Sequence, residues 1–180
     1  MERLEILVGD ITLSQADAIV SADVPTLLGS RGVSGAIRQA AGAELAEACR
    51  ALHGCPRGQA RITNGFGLKA AWILHTSGPV WEGGTHGEAE VLAACYRSCL
   101  ALAEERGLKT LDFCSISTGG CGYPLYDAAT VALRAIMEHL RTHSLPERVR
   151  LVCRTEETAR VYRQMWNFWF AVSKEDRMPT

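Results

Sequence analysis

A run of small residues between two apolar segments is the part of the sequence best suited to chemistry. The run consists of Ser117, Thr118, Gly119, Gly120, Cys121, Gly122 and Tyr123. Apolar residues up to Ile116 predict a buried strand before it, and Pro124 with Asp127 begins a helical pattern after it. A strand, a glycine loop and a helix together turn backbone N–H groups toward one anion. The run therefore predicts a phosphate site, with Tyr123 placed to lay its ring on a sugar or base. A tight turn without a ligand is the alternative.

Few other residues have types and spacings that indicate chemistry. Asp10 directly follows a predicted strand, where a carboxylate can accept a hydrogen bond from an exocyclic amine such as that of adenine; a simple turn residue is the alternative. Cys121 is the one candidate for a reactive thiol, but no acid or histidine is paired with it. His75 lies in an apolar strand and is expected to be a core histidine. No metal site is predicted, because His139 and His143 are expected at the surface and there is no CxxC pair.

Alternating strands and helices must position these residues. Apolar runs predict strands at 4–8, 18–20, 60–66, 72–76, 111–116 and 149–153. Helices are predicted from Val33 with a break at Gly42, over Glu88–Arg106, after Pro124, and after a Thr155 cap. This alternation is typical of an α/β sheet with helices on its faces. Ligands of such sheets bind beyond the carboxyl ends of the strands, so the loops after the first, second and fifth strands are expected to converge there.

Composition restricts the possible classes of protein. The chain has 180 residues, 47% of them hydrophobic and 22% charged, which predicts one globular domain. A net charge of −1 argues against nucleic acid as a partner. The N-terminus does not resemble a signal peptide, and no apolar run is long enough for a membrane span, so no membrane partner is expected. Seven scattered cysteines predict reduced thiols and a cytoplasmic location.

The last residues differ from the rest in composition. We predict a single domain over residues 1–165 and an aromatic-rich C-terminal extension over 166–180. Four large aromatic side chains lie at its start: Trp166, Phe168, Trp169 and Phe170. They are expected to end a helix and cover the core. Self-association through an exposed aromatic patch is the alternative.

Six segments of the chain, taken in order, resemble the macrodomain family. They are Gly9–Thr12, Gly32–Ile37, Cys55–Ala60, His75–Trp81, Cys95–Ser98 and Ile116–Pro124. The resemblance extends from Leu4 to Met165. It implies a three-layer α/β/α fold with a mixed central sheet of about six strands, which binds ADP-ribose at the strand ends and needs no cofactor.

The resemblance also implies which residues bind the ligand. They are Asp10, Ile11, Gly32, Val33, Arg154 and the residues from Ser117 to Tyr123. Asp10 would hold the adenine amine with Ile11 beside it, and Arg154 takes the place of an aromatic residue that often stacks on adenine. The residues from Ser117 to Tyr123 would surround the phosphates and the distal ribose. The loop from Gly29 to Val33 would close on the diphosphate from the other side.

Several positions depart from the hydrolytic members of the family. Their Asn-Ala-Ala-Asn motif is Ser21-Ala22-Asp23-Val24 here, and Val24 has no side-chain group that forms hydrogen bonds. Those members have an aspartate that helps to position the attacking water, and this chain has Ser34 in its place. Their following histidine is replaced by Arg38. In the loop that would close on the diphosphate, Ser30 and Arg31 replace two glycines of those members. A positioned acid–base group contributes about 10²–10⁴-fold to such a reaction, so these changes predict a large loss of hydrolysis.

Three functions are therefore considered. The main prediction is a protein that binds ADP-ribose, a related derivative or an ADP-ribosylated protein, with weak or lost hydrolysis. The first alternative is an ADP-ribosyl-protein hydrolase or O-acetyl-ADP-ribose deacetylase with a site rebuilt from Asp23, Ser34 and Arg38. Asp23 is expected to point away from the reacting ribose, because side chains diverge at a strand end. The second alternative is a scaffold whose pocket is filled by Arg31 or Val24.

Overall fold

A mixed six-stranded sheet forms the centre of the structure, a computed structural model that describes residues 3–171. The strands are β1 (Leu4–Val8), β2 (Ala18–Ala22), β3 (Ala60–Asn64), β4 (Trp72–Thr76), β5 (Thr110–Phe113) and β6 (Arg148–Cys153). The helices are α1 (Gly32–Ala41), α2 (Ala43–Ala51), α3 (Glu88–Glu105), α4 (Leu125–Thr142) and α5 (Glu156–Phe170), with a short 3-10 helix at Ile11–Leu13.

The strands are arranged in the order β1-β6-β5-β2-β4-β3. Only β3 is antiparallel to its neighbour, so the other five strands end at the same edge of the sheet. At that edge Val8 pairs with Cys153 and Ala22 pairs with Thr76. The predicted fold class, a mixed sheet of about six strands, is confirmed.

Helices form a layer on each side of the sheet. Helices α1 and α2 pack against β2 and β3, whereas α4 packs between α3 and α5 on the other side. Between that second layer and the sheet, the rings of Tyr96 on α3 and Phe113 on β5 lie 5.0 Å apart, and both side chains are fully buried. Strand β2 is covered on both faces, which explains why its residues 18–20 form a continuous apolar run.

Local sequence patterns predicted most element boundaries. Gly42 separates α1 from α2 with a φ of 96°, as the break in the helical pattern indicated. Helix α3 ends at Glu105, one residue before the predicted end. Strand β5 ends at Phe113, three residues earlier than the apolar run indicated, because residues 114–116 already turn out of the sheet.

The C-terminal aromatic residues belong to the end of α5, which continues without a break across residue 165. The Trp166 and Phe170 rings stack 4.9 Å apart and pack against the core. Trp169 lies under the guanidinium of Arg134, 4.2 Å from the ring centre, whereas Phe168 is 64% exposed. These contacts agree with a role in covering the core, and the rest of the predicted extension, residues 172–180, lies outside the described residues. Over the described part of the chain, no helix has the length and apolar character of a membrane span.

Candidate functional site

Loops that follow four strands meet at the carboxyl edge of the sheet. The Gly9 N–H donates to the Cys153 carbonyl, which joins the loop after β1 to the end of β6. The Asp23 N–H donates to Thr76 O, and a Cβ placed on Gly78 would lie 2.2 Å from Ser117 Oγ. The loops after β1, β2 and β5 therefore converge at one edge, as the sequence predicted.

The loop after β5 is held from behind by buried side chains. Ser115 Oγ lies 2.8 Å from the Tyr162 hydroxyl and 2.7 Å from Thr118 Oγ1. Ser117 Oγ donates to the Pro79 carbonyl at 2.8 Å, and this bond holds Ser117 at a φ of 64°. Because the Ser117 and Thr118 hydroxyls are used internally, the loop presents its backbone to a ligand.

That backbone is arranged to hold an anion. Within residues 3–171, the N–H groups from Thr118 to Cys121 donate to no protein acceptor. The loop is closed by two bonds further on, from Gly122 N to Gly119 O and from Tyr123 N to Ser117 O. A Cβ at Gly119 or Gly120 would meet no atom within 4 Å, so the space beside them is open. Consecutive unpaired N–H groups form a concave site for a phosphate.

A second group of N–H donors comes from the start of α1, which follows the neighbouring strand β2. Helix α1 begins at Gly32 after Arg31, and no side chain caps its first N–H groups. An uncapped helix N-terminus carries a partial positive charge and attracts anions. Because β2 and β5 are adjacent, this helix end and the loop after β5 lie at neighbouring positions along one edge, as a diphosphate requires.

Asp10 provides a carboxylate at the far side of the same edge. Its Oδ1 accepts from Thr12 N at 3.0 Å and from Thr12 Oγ1 at 2.7 Å. Those two bonds, together with the positive charge of Arg154, hold the pKa of Asp10 below its usual value despite a small opposing effect of burial. Asp10 is exposed and ionised at neutral pH, and within the described chain its Oδ2 accepts no hydrogen bond, so it can receive one from an amine.

This arrangement of loops is shared with proteins of one family. The family model described as Macro domain matches residues 20–132. The chain belongs to the macrodomain family. A macro domain-containing protein of Methanosarcina mazei is 48% identical over 160 residues, which cover 89% of this chain and 86% of the relative. The O-acetyl-ADP-ribose deacetylase of Salmonella typhimurium is 46% identical over 167 residues, 91% and 93% of the two chains.

The fold similarity extends to a solved structure with a ligand. A mutant of the Oceanobacillus iheyensis macrodomain, solved with ADPR, superposes with a TM-score of 0.90 at 38% identity. The match covers 93% of this chain and 94% of that chain. The predicted resemblance to macrodomains is thereby confirmed for nearly the whole chain.

Three of the residues that replace family positions, Asp23, Ser34 and Arg38, meet in this macrodomain behind the loop between β2 and α1. Asp23 Oδ1 accepts from Val24 N at 2.7 Å and from Gly29 N at 3.1 Å. Its Oδ2 lies 3.4 Å from Arg38 Nη2, and Ser34 lies beside the carboxylate but donates its hydroxyl to the Arg31 carbonyl at 3.1 Å. The Asp23 side chain is only 3% exposed, so the carboxylate points into the loop rather than into open solvent.

Burial is the strongest influence on this carboxylate. It raises the pKa of Asp23, against the opposing effects of the Val24 hydrogen bond, the charge of Arg38 and the Gly29 hydrogen bond. Gly29 packs so closely that a Cβ there would lie 2.3 Å from Asp23 Oδ1. Arg38 also donates to the Leu27 carbonyl. The cluster thus shapes the loop over residues 24–31 from inside.

Two further expectations concern side chains near the site. Tyr123 is not placed to lay its ring on a ligand, because it is only 4% exposed and packs on Trp81 with ring centres 4.7 Å apart. The backbone N–H of Trp81 donates to the Cys121 carbonyl, so Trp81 supports the loop through both its ring and its backbone.

Arg31 is exposed, and among residues 3–171 its guanidinium makes no hydrogen bond or ion pair, so it does not fill the cleft by bonding across it.

Sequence reasoning missed Glu88, which organises the loop between β4 and α3. The residue is 3% exposed, and its carboxylate accepts from the backbone N–H groups of Glu82, Gly84 and His86 at 3.1, 2.7 and 2.6 Å. Burial raises its pKa, but these bonds outweigh that effect and lower the pKa to about 2. A glutamate that begins a helix directly after a glycine-rich loop is the signal that identifies such a residue.

The remaining candidates behave as core or surface residues. His75 is 2% exposed and its Nε2 bonds to Thr63 Oγ1 at 2.8 Å, which confirms a core histidine. Burial, with the charge of Arg38, lowers its pKa to about 4. All seven cysteines are free, and Cys121 is the one that is not buried. A cavity of about 400 Å³ is lined by Asp10 and by residues of β1 and β6, but not by the glycine loop.

Proposed function

We propose that this macrodomain binds ADP-ribose, free or attached to a protein, at the carboxyl edge of its sheet. The observation that carries the proposal is the run of N–H groups from Thr118 to Cys121, which donate to no acceptor in the described chain. They lie beside the uncapped N-terminus of α1. The relative from Oceanobacillus iheyensis, with the same fold, was solved with ADPR.

Each part of ADP-ribose has a chemical counterpart in this arrangement. The free Oδ2 of Asp10 accepts the adenine amine, with Ile11 as an apolar wall and Arg154 close to the same carboxylate. The diphosphate lies between the N–H groups of the glycine loop and the start of α1. Gly119 and Gly120 allow the phosphates to approach the backbone, because no side chain lies in that space.

We further propose that hydrolysis by this protein is weak or absent. Val24 and Ser34 replace the amide and the acid that position water in hydrolytic members of the family. Asp23 does not replace them, because its side chain is 3% exposed and its oxygens accept bonds from Val24, Gly29 and Arg38. A general base must lie within hydrogen-bond reach of the water that it activates, and a buried, fully bonded carboxylate does not.

Calorimetry with ADP-ribose tests the binding proposal. We expect saturable 1:1 binding that Asp10→Ala weakens by about 1–3 kcal/mol, or roughly 5–150-fold, because a charged hydrogen bond is lost. Glu44→Ala is the matched control, since Glu44 is an exposed carboxylate on α2 outside the converging loops. Absence of binding at high micromolar ligand, or equal affinity of the Asp10→Ala and wild-type proteins, would contradict the proposal.

An O-acetyl-ADP-ribose deacetylase is the second candidate, because the Salmonella typhimurium relative with that name is 46% identical. Release of acetate from O-acetyl-ADP-ribose distinguishes the two functions, and release of ADP-ribose from a modified acidic side chain tests the related hydrolase. We expect rates equal to the buffer blank. A clear rate that Asp23→Asn abolishes would instead assign catalysis to the rebuilt cluster.

A further inference from the structure

A cluster of three potential metal ligands lies where α3 and α4 end side by side. Glu104 Oε2 is 3.9 Å from His139 Nε2 and 3.6 Å from His143 Nε2. One ligand atom from each of the three residues lies within 4.8 Å of the other two, and the two imidazole rings are parallel with centres 4.2 Å apart. We propose that this cluster binds a divalent transition-metal ion, with Zn²⁺ as the preferred ion.

The distances suit such an ion. Zn²⁺ binds imidazole nitrogen and carboxylate oxygen at about 2.0–2.2 Å, which places neighbouring ligand atoms of a tetrahedral site about 3.3–3.5 Å apart. The separations of 3.6 and 3.9 Å between Glu104 and the two histidines exceed this by roughly half an ångström, a change that side-chain rotation supplies. A set of two imidazoles and one carboxylate also suits Zn²⁺ and neighbouring transition metals better than it suits Mg²⁺ or Ca²⁺.

The hydrogen bonds around the two imidazoles determine what must change when a metal binds. His143 Nδ1 lies 3.1 Å from the His139 carbonyl and 2.8 Å from Thr142 Oγ1; in the tautomer with its hydrogen on Nδ1, this nitrogen donates to the carbonyl and the lone pair on Nε2 is free for a metal. His139 Nε2 lies 2.8 Å from Leu145 O. Metal binding at His139 requires this hydrogen bond to break and the hydrogen of the ring to move to Nδ1, which makes the Leu145 carbonyl oxygen available as a fourth ligand.

Charge and burial also support the site. Glu104 supplies the negative charge of the site. The guanidinium of Arg3 binds the carbonyl groups of Leu140 and His143 at 2.6 and 2.9 Å, so the end of the helix is held in place without a metal. The His139 side chain is only 9% exposed, so the expectation of a surface histidine pair is wrong for this residue.

The cluster is separate from the proposed ADP-ribose site. Helix α4 starts at Leu125, directly after the glycine loop, and His139 lies about 14 residues further, or about 21 Å along the axis. A metal there would join α3, α4 and the segment that leads into β6. We therefore expect it to stabilise the fold and to leave the affinity for ADP-ribose unchanged.

Titration of the full-length, tag-free protein with Zn²⁺ tests the proposal. We expect 1:1 binding by calorimetry, and a rise in melting temperature of roughly 5–10 °C when Zn²⁺ exceeds its Kd 100-fold. His143→Ala and Glu104→Gln should each weaken Zn²⁺ binding by at least about ten-fold. Loss of a residue that only supports a metal ligand already costs about that much, and these two residues are ligands themselves. His53→Ala and Glu105→Gln are the matched controls, because both residues are exposed and outside the cluster.

The coordination itself is read by replacing Zn²⁺ with Co²⁺. We expect visible absorption typical of a tetrahedral site without a near-ultraviolet thiolate band. A thiolate band would assign the metal to cysteines and overturn the proposal. Absence of saturable Zn²⁺ binding, or binding that persists in the Glu104→Gln/His143→Ala double variant, would overturn it as well.

Discussion

Removal of the Asp23 carboxylate is the sharpest test of how the loop between β2 and α1 is shaped. Asp23→Ala leaves the Val24 and Gly29 N–H groups without their acceptor and Arg38 without its counter-ion. An unsatisfied buried donor costs about 1–3 kcal/mol, which applies to the partly buried Gly29 N–H. Water partly compensates the exposed Val24 N–H and the Arg38 guanidinium, whose side chain is 22% exposed.

The loss is reduced because the carboxylate itself is costly to bury, as its raised pKa indicates. We therefore expect Asp23→Ala to lower the free energy of unfolding by about 2–4 kcal/mol. For a domain of this size, that corresponds to a fall in melting temperature of roughly 5–15 °C. The affinity for ADP-ribose should fall by at least about ten-fold, or about 1.4 kcal/mol, because the loop loses the shape that presents the start of α1.

Differential scanning calorimetry and ligand titration at neutral pH measure both quantities. The double variant Asp23→Ala/Arg38→Ala is the informative control, because it removes the unpaired guanidinium together with its partner. We expect it to lose less stability than the sum of the two single variants, with a coupling of about 0.5–3 kcal/mol. If Asp23→Ala unfolds at the wild-type temperature and binds ADP-ribose with wild-type affinity, the cluster does not shape the loop and our reasoning is wrong.

Two further predictions concern loops near the site. Glu88→Gln should remove an acid-dependent loss of stability: in the wild-type protein the contribution of Glu88 is present above its ordinary pKa of 4.5 and disappears as pH falls toward about 2. Unfolding by urea between pH 2 and 6 measures this, and parallel curves for both proteins would contradict it. Gly78→Ala should place a Cβ 2.2 Å from Ser117 Oγ, cost about 1–3 kcal/mol and weaken ADP-ribose binding. Calorimetry tests it, and an unchanged affinity would show that the Ser117 loop accommodates the methyl group.

Local patterns in the chain were sufficient to predict the elements of this macrodomain. Helix α3 and the break at Gly42 follow from apolar spacing and from the conformational freedom of glycine. The buried strand β2 follows from an uninterrupted apolar run. The family was also evident from the sequence, because six short segments that each resemble a macrodomain segment follow one another in the order that the family has. These features depend on neighbours within a few residues, which the sequence displays directly.

Other features depend on residues far apart in the chain, and periodicity carries no information about them. Tyr123 was expected to face a ligand, but its ring is covered by Trp81 from a different loop. Glu88 was not identified, because its carboxylate meets the backbone N–H groups that donate to it only when the preceding loop folds back over it.

The sequence by itself therefore determined the family, the order of strands and helices, and the glycine loop with its neighbouring helix start. Only the tertiary structure decided which polar side chains meet, namely Asp23 with Arg38 across 15 positions and Glu104 with His139 from two helices. The physical reason is that side-chain pairing depends on distance in space. Packing of helices on the sheet sets that distance, and no local pattern of residues encodes it.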